Sequence, residues 1–320
     1  MNALIYKAKN APLAYEHYEL PAPQAGEVTV NLKAAALNHR DNWITKGMYP
    51  GIQENIILGS DGAGELDGRE VILNPNIGWG DNQSFPAPTY HMLGMPTHGT
   101  FAEQIIVAAD RAVDKPAHLS MTEAAALPLA GLTAYRVLFS RCAAKPGEKV
   151  LISGIGGGVA LFACQFAIAA GAEVYVTSSS PEKIAQAVAM GAKGGANYRE
   201  EDWAKRFKKE VGGFDVIIDS AGGAGFADLV KLTNKGARIG LYGGTRGNWK
   251  DVSPQIVFFN QIDILGSTMG SDQDFADMVA FVSKHKIKPV VDATFSLSDG
   301  NAAIARMNQG EQFGKIVLTI

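Results

Sequence analysis

Between Val150 and Ala172 the chain carries no charged side chain. An uncharged apolar run of about 20 residues is the usual mark of a membrane helix. Here the first third of the run holds Gly154, Gly156, Gly157 and Gly158, and so many glycines break a helix. The residues just before them, KVLIS from Lys149 to Ser153, are β-branched and short enough for a buried strand, and Val159 to Ala170 is left as a helix. The stretch predicts strand, glycine turn and helix, so no membrane span is expected.

The same rhythm continues downstream. AEVYVTS leads into SPEKIAQAVAMGA, where Ser180 can cap a helix and Pro181 can take its first position. GGANY then precedes a charged helix, REEDWAKRFKKEV; FDVIIDS precedes GGAGFADLVKLTNKG; and ARIGLYG and QIDILGST complete six strands. Apolar strands alternating with helices imply a parallel sheet covered on both faces. Upstream of His118 the texture is different: ALIYKA, EVTVNLKAAAL, GREVILNP and TFAEQIIVAA are short strands separated by Gly, Pro and Asn, which suits a compact antiparallel barrel. Asn74 to Thr97 has no periodicity and reads as a long surface loop. The late strands KPVVDATFSL and KIVLTI have no room in the finished parallel sheet, so they are expected to return to the first domain. The expected division is residues 1–122, 123–287 and 288–320, a Rossmann domain inserted into a β-barrel domain.

Charge excludes several functions. With 29 basic and 32 acidic residues, and a formal net charge of -3, no basic surplus would draw nucleic acid or an anionic membrane. The two cysteines, Cys142 and Cys164, cannot make a disulfide framework or a four-cysteine zinc lobe, and they read as core residues. Met1 to Asn10 lacks the apolar core of a signal peptide, so a cytoplasmic protein is expected.

The glycine turn carries the chemistry. Glycines between a strand and a helix let a backbone approach a pyrophosphate, and the helix N-terminus offers free N–H groups. Gly156, Gly157, Gly158 and Val159 are the expected cradle of a dinucleotide. An acidic residue at the end of the second strand would accept the ribose 2′-hydroxyl of NAD. That place holds Thr177, Ser178, Ser179 and Ser180 instead, and with Lys183, Tyr198 and Arg199 they suit a 2′-phosphate, which favours NADPH. Ser220, Ala221, Tyr242, Gly243 and Gly244 end the fourth and fifth strands, where ligands of parallel sheets lie.

Six motifs now carry a resemblance. AALNHRD at 35–41, LGSDGAG at 58–64, HGTFAE at 98–103, AAALPLAGLTAY at 124–135, the glycine turn, and GKIVL at 314–318 resemble the medium-chain dehydrogenases/reductases, in the branch of the zinc-independent quinone oxidoreductases. The resemblance implies a GroES-like barrel around the Rossmann domain, and a homodimer. It places Asn38 near the nicotinamide ribose and the substrate, Thr133 beside the nicotinamide, and Tyr49 as a pocket wall or a hydrogen donor. It brings Ser267 and Met269, in GSTMG, to the nicotinamide; Met269 faces the substrate or simply packs. It leaves Lys315 as a basic residue that approaches the cofactor or does not. Asp41 reads as a brace of its turn more readily than as a catalytic group.

The resemblance also bears on metal. Where zinc alcohol dehydrogenases hold their catalytic ion, this chain has Asn38, Ser60 and Ala130, and Arg40 stands where those enzymes relay a proton. His91 and His98 lack thiolate or carboxylate partners at a ligand spacing, so no metal is expected. Without a Lewis acid to acidify an alcohol, hydride transfer to a quinone or an α,β-unsaturated carbonyl becomes the expected reaction. Two rivals stand beside it, a non-catalytic NADPH-binding protein of the crystallin kind and a zinc-dependent alcohol dehydrogenase.

Overall fold

A computed structural model describes all 320 residues, and they form two compact units: Met1–Leu132 with Ser271–Ile320, and Thr133–Gly270. The second division falls earlier than position 287, because the helix Asp272–His285 is tied to the first unit at its start. Arg111 donates to the Asp272 carboxylate at 2.6 and 3.0 Å, and the Asn74 amide adds a third bond at 2.9 Å. No helix is long and apolar enough to cross a membrane.

In the first unit the strand Glu27–Ala36 is the centre of a seven-stranded sheet. Asp61–Leu66 pairs with it on one side and Lys315–Thr319 on the other, both antiparallel. Gln104–Ala108 pairs with its first half, and Val291–Ser296 lies parallel to Lys315–Thr319. The two late strands thus complete the first unit, as the sequence predicts. A smaller sheet of Ala14–His17, Asn2–Tyr6 and Ile56–Ile57 packs Leu4 and Ile57 into a core with Leu37, Phe101 and Ile316.

The segment 74–97 is less of a surface loop than its composition suggests. Asn76–Ile77 pairs with His91–Met92, while Trp79, Leu93 and Met95 are buried. The Trp79 ring meets Tyr90 edge-on and its Nε1–H donates to the Asn82 carbonyl, so the aromatic pair gives the segment a small core of its own.

In the second unit six parallel strands lie in the order Gly194–Asn197, Glu173–Ser178, Lys149–Ile152, Phe214–Asp219, Thr233–Leu241, Asp263–Gly266. Numbered along the chain this is third, second, first, fourth, fifth, sixth, the doubly wound Rossmann order. The helix Gly158–Ala169 buries Leu161, Phe162, Cys164 and Phe166, which explains why its sequence holds no charge. The fifth strand starts at Thr233, inside the segment whose composition reads as helix, because Thr233 already pairs with Phe214.

Candidate active site

The first unit builds a buried charged constellation at one end of its sheet. The central strand ends at Ala36; Leu37 and Asn38 follow, and Asn38 caps the helix His39–Thr45. Asp61 opens one neighbouring strand and pairs with Ala36, and Lys315 opens the other. Strand register therefore brings three distant residues together. The Lys315 ammonium donates to Asn38 Oδ1 at 2.6 Å and to Asp61 Oδ2 at 2.9 Å, and Asn38 Nδ2 donates to the same Asp61 oxygen at 2.9 Å. Asp61 Oδ1 accepts the backbone N–H of Leu129 at 2.7 Å. All three side chains are buried, and their hydrogen bonds close a ring. Lys315 reaches it because Gly314, at φ +124°, lets the chain pass the Val290 carbonyl, where a Cβ would stand 2.4 Å from the oxygen.

Arg40 builds a second cluster. Its guanidinium donates to Ser60 Oγ at 2.6 Å and to the carbonyls of Leu93 and Met95 at 2.9 and 3.3 Å. Its Nε–H donates to the Tyr49 hydroxyl oxygen at 3.3 Å, and the guanidinium carbon sits 4.9 Å from the centre of the Tyr49 ring. The half-buried Tyr49 thus receives a cation at both its hydroxyl oxygen and its ring face. Asp41 closes the turn: its Oδ2 accepts the Asn38 N–H at 2.7 Å, and its N–H returns to the Asn38 carbonyl at 3.0 Å. Asp41 Oδ1 has no hydrogen-bond partner, and burial raises this carboxyl to about 6 against the opposing pull of Arg40, the Asn38 N–H and Lys315. Burial and the Lys315 charge both hold the His39 imidazole below its ordinary value.

These residues do not fit a metal. The Asn38 carbonyl oxygen is taken by an ammonium, the Ser60 hydroxyl by a guanidinium, and Ala130 has no donor atom. No three His, Cys, Asp or Glu side chains are grouped to hold an ion. His98 is engaged at both ring nitrogens, by the Ile57 N–H at 3.2 Å and the Tyr18 hydroxyl at 2.9 Å. Both cysteines are buried and their thiols are pushed up to about 12, far from thiolate chemistry.

The second unit builds its constellation at the carboxyl ends of its strands. Gly154 and Gly156 have φ of +64° and +131°, and Gly157 caps the helix Gly158–Ala169. A Cβ at Gly154 or Gly157 would meet nothing within 4 Å, so the backbone is bare on the side a pyrophosphate approaches. Thr177 and Ser178 are buried and serve the scaffold: Thr177 Oγ1 accepts the Gly154 N–H at 3.1 Å, and Ser178 Oγ accepts the Ser180 N–H at 3.1 Å. Ser180 caps the next helix through the Lys183 N–H at 3.2 Å. Ser179, Lys183, Tyr198 and Arg199 remain wholly or partly exposed beside that strand end.

Asp219, which sequence reasoning missed, anchors this end of the sheet. Its carboxylate accepts from Ser153 Oγ and from the Gly222 N–H at 2.8 Å, joining the first and fourth strands at Ser220 and Ala221. A single acid closing the apolar run FDVIID was its only signal. The Tyr242 hydroxyl is held above the ordinary phenol range by burial, and Gly243 sits so close to the Ser220 carbonyl that a Cβ would lie 2.9 Å from it; Gly244 is open. Thr133 Oγ1 lies 3.7 Å from Met269 Sδ, both nearly buried, and Ser267 Oγ is buried without a partner. The residues present fit a dinucleotide, with the bare glycine backbone as its cradle.

Two family models match the chain: an alcohol dehydrogenase GroES-like domain over residues 24–117 and a zinc-binding dehydrogenase domain over residues 158–284. The chain belongs to the medium-chain dehydrogenase/reductase superfamily, a family of nicotinamide-dinucleotide-dependent oxidoreductases. It is 36% identical to the zinc-type alcohol dehydrogenase-like protein YogA of Leptosphaeria maculans, over 97% of this chain and 95% of that one. A crystal structure of an NAD-dependent alcohol dehydrogenase superposes with a TM-score of 0.94 at 34% identity, covering both chains fully. The quinone oxidoreductase of Thermus thermophilus, solved also with NADPH, superposes with a TM-score of 0.85 at 26% identity, again over both chains fully.

Proposed function

We propose that this oxidoreductase is a zinc-independent, NADPH-dependent reductase of quinones or α,β-unsaturated carbonyls. The observation that carries the reading is that side-chain cations engage the residues standing at two of the metal-ligand positions: Lys315 holds Asn38 and Arg40 holds Ser60. A divalent ion would have to displace both, and without one no Lewis acid is at hand to acidify an alcohol. Reduction of an activated carbonyl needs only a hydride, a fixed geometry and donors where negative oxygen develops. Bound NADPH supplies the hydride from C4 of its nicotinamide. On the protein side, Gly156, Gly157, Gly158 and Val159 bind the pyrophosphate. Ser179, Lys183 and Tyr198 attract the 2′-phosphate, and Thr177, Ser178, Ser220, Ala221, Tyr242, Gly243 and Gly244 shape the dinucleotide's bed. Thr133, Ser267 and Met269 hold the nicotinamide. Asn38 and Tyr49 donate hydrogen bonds to the substrate oxygen, and water supplies the proton that converts the enolate to the saturated carbonyl compound or the quinolate to the quinol.

The name borne by YogA points to a zinc-type alcohol dehydrogenase and that of the NAD-dependent enzyme to alcohol oxidation, so the two readings are tested together. The experiment is steady-state oxidation of NADPH with 9,10-phenanthrenequinone and with short enones, alongside elemental analysis of the enzyme. Turnover without metal is expected. Tight NADPH binding with neither class reduced overturns the enzymatic reading, and one zinc per chain with alcohol oxidation replaces it.

A further inference from the structure

Both donors assigned to the substrate oxygen share one construction. Tyr49 accepts at its hydroxyl oxygen from Arg40 Nε, and no protein acceptor takes the proton of that hydroxyl. Asn38 accepts at Oδ1 from the Lys315 ammonium, and its Nδ2 spends one proton on Asp61 and has no protein acceptor for the other. In each case a cation on the acceptor atom draws electrons from the group that carries the remaining proton. At Asn38 the Asp61 carboxylate, which accepts from both Lys315 and Nδ2, opposes part of this pull, so the Arg40–Tyr49 arm is the stronger of the two. Hydrogen bonds in series strengthen one another in this way, most of all where water is excluded. Arg40, Lys315 and Asp61 are almost completely buried, so their charges are weakly screened.

Building on the reductase reading, we propose that Arg40 and Lys315 are a pair of positioning cations that take the place of a metal ion, one polarising the Tyr49 hydroxyl and the other the Asn38 amide. Neither cation touches the substrate. Each acts through a neutral donor, so positive charge reaches the developing oxyanion along two hydrogen bonds. The opposing carboxylates have separate tasks: Asp61 fixes the orientation of the Asn38 amide and of Lys315, while Asp41 braces the turn that carries Asn38 and Arg40. The Arg40 guanidinium donates to the Ser60 hydroxyl and to two carbonyls, which are neutral dipoles, so its charge is not cancelled by a direct ion pair.

The test uses the full-length enzyme with 2-cyclohexen-1-one, carbon-13 labelled at the carbonyl, bound beside NADP⁺ so that no reaction occurs. Difference infrared spectroscopy then reads the carbonyl stretch. In the wild type the band is expected to shift to lower frequency than in water. Arg40→Met and Lys315→Met should each reverse part of the shift, lower kcat by about 10- to 100-fold as loss of an orienting partner does, and change KM less than kcat. Lys315→Arg should restore the band. Tyr49→Phe should cost less in an Arg40→Met background than alone, since the two act as one unit. Should Arg40→Met fail to fold, Lys315→Met and its arginine rescue carry the test. A band unmoved in folded variants that still bind NADP⁺ overturns the proposal, even where kcat falls, because that is what a purely structural role gives. A wild type that reduces neither enones nor quinones overturns the underlying reading instead.

Discussion

Asp41 shows how one side chain sets a pH dependence. Its carboxyl rises from 3.8 to about 6 on folding, which amounts to about 3 kcal/mol against the ionised form in the folded state. The folded protein therefore holds a proton that the unfolded chain releases, and this group's contribution to stability falls as pH rises from about 4 to 6. Above pH 6 the full cost is present. Asp41→Asn keeps an acceptor for the Asn38 N–H and removes the buried charge, so its Tm relative to wild type should rise between pH 4.5 and pH 7.5, as thermal melts can show. A relative Tm that drops across the same interval would mean that the carboxylate is stabilising. Asp41 was legible in the sequence as a brace of its turn. Its orphaned oxygen and the cations around it were not, because Lys315 lies far along the chain and Arg40 gives no sign of pointing inward.

At the scale of elements, the strand, glycine turn and helix were legible because each is a local matter of residue type and spacing. Gly157 offers the cleanest test of the cradle. Its backbone is extended, at φ −77° and ψ 155°, and a Cβ there meets nothing within 4 Å. Gly157→Val should leave Tm unchanged and weaken NADPH binding by at least about tenfold, since the added methyls stand where the pyrophosphate must approach. Equal affinity by fluorescence titration would place the dinucleotide elsewhere. Gly314 is the opposite case: at φ +124° and packed on the Val290 carbonyl, Gly314→Ala must move the strand that presents Lys315. A loss of stability of about 2 kcal/mol or more in denaturant is expected. The closed ring of Asn38, Asp61 and Lys315 was hidden from sequence reasoning, as its bonds join residues 254 and 277 positions apart. Only the register of three strands makes them neighbours. The segment 74–97 misled for a related reason: its Gly and Pro content marks turns, but says nothing of where Trp79, Leu93 and Met95 are buried.

For the whole molecule, the alternation of strands and helices and the late return of two strands were readable because a parallel sheet has a fixed capacity. Where one unit ends and the other begins was harder to place, since the Arg111 and Asn74 bonds that hold Asp272 join distant segments. Cofactor preference belongs to this scale as well. The half-buried Ser179 and Lys183 and the exposed Tyr198 and Arg199 predict tighter binding of NADPH than of NADH, with Lys183→Ala narrowing the difference; equal affinities in competition titrations would refute that reading. On the proposed function, fixed side-chain cations do the work of a metal. The most direct measurement of this is NADPH oxidation by 9,10-phenanthrenequinone with enzyme shown by elemental analysis to be metal-free after chelation. Undiminished turnover, unaffected by added zinc, is the predicted result; activity that vanishes on chelation and returns with one zinc per chain would contradict it.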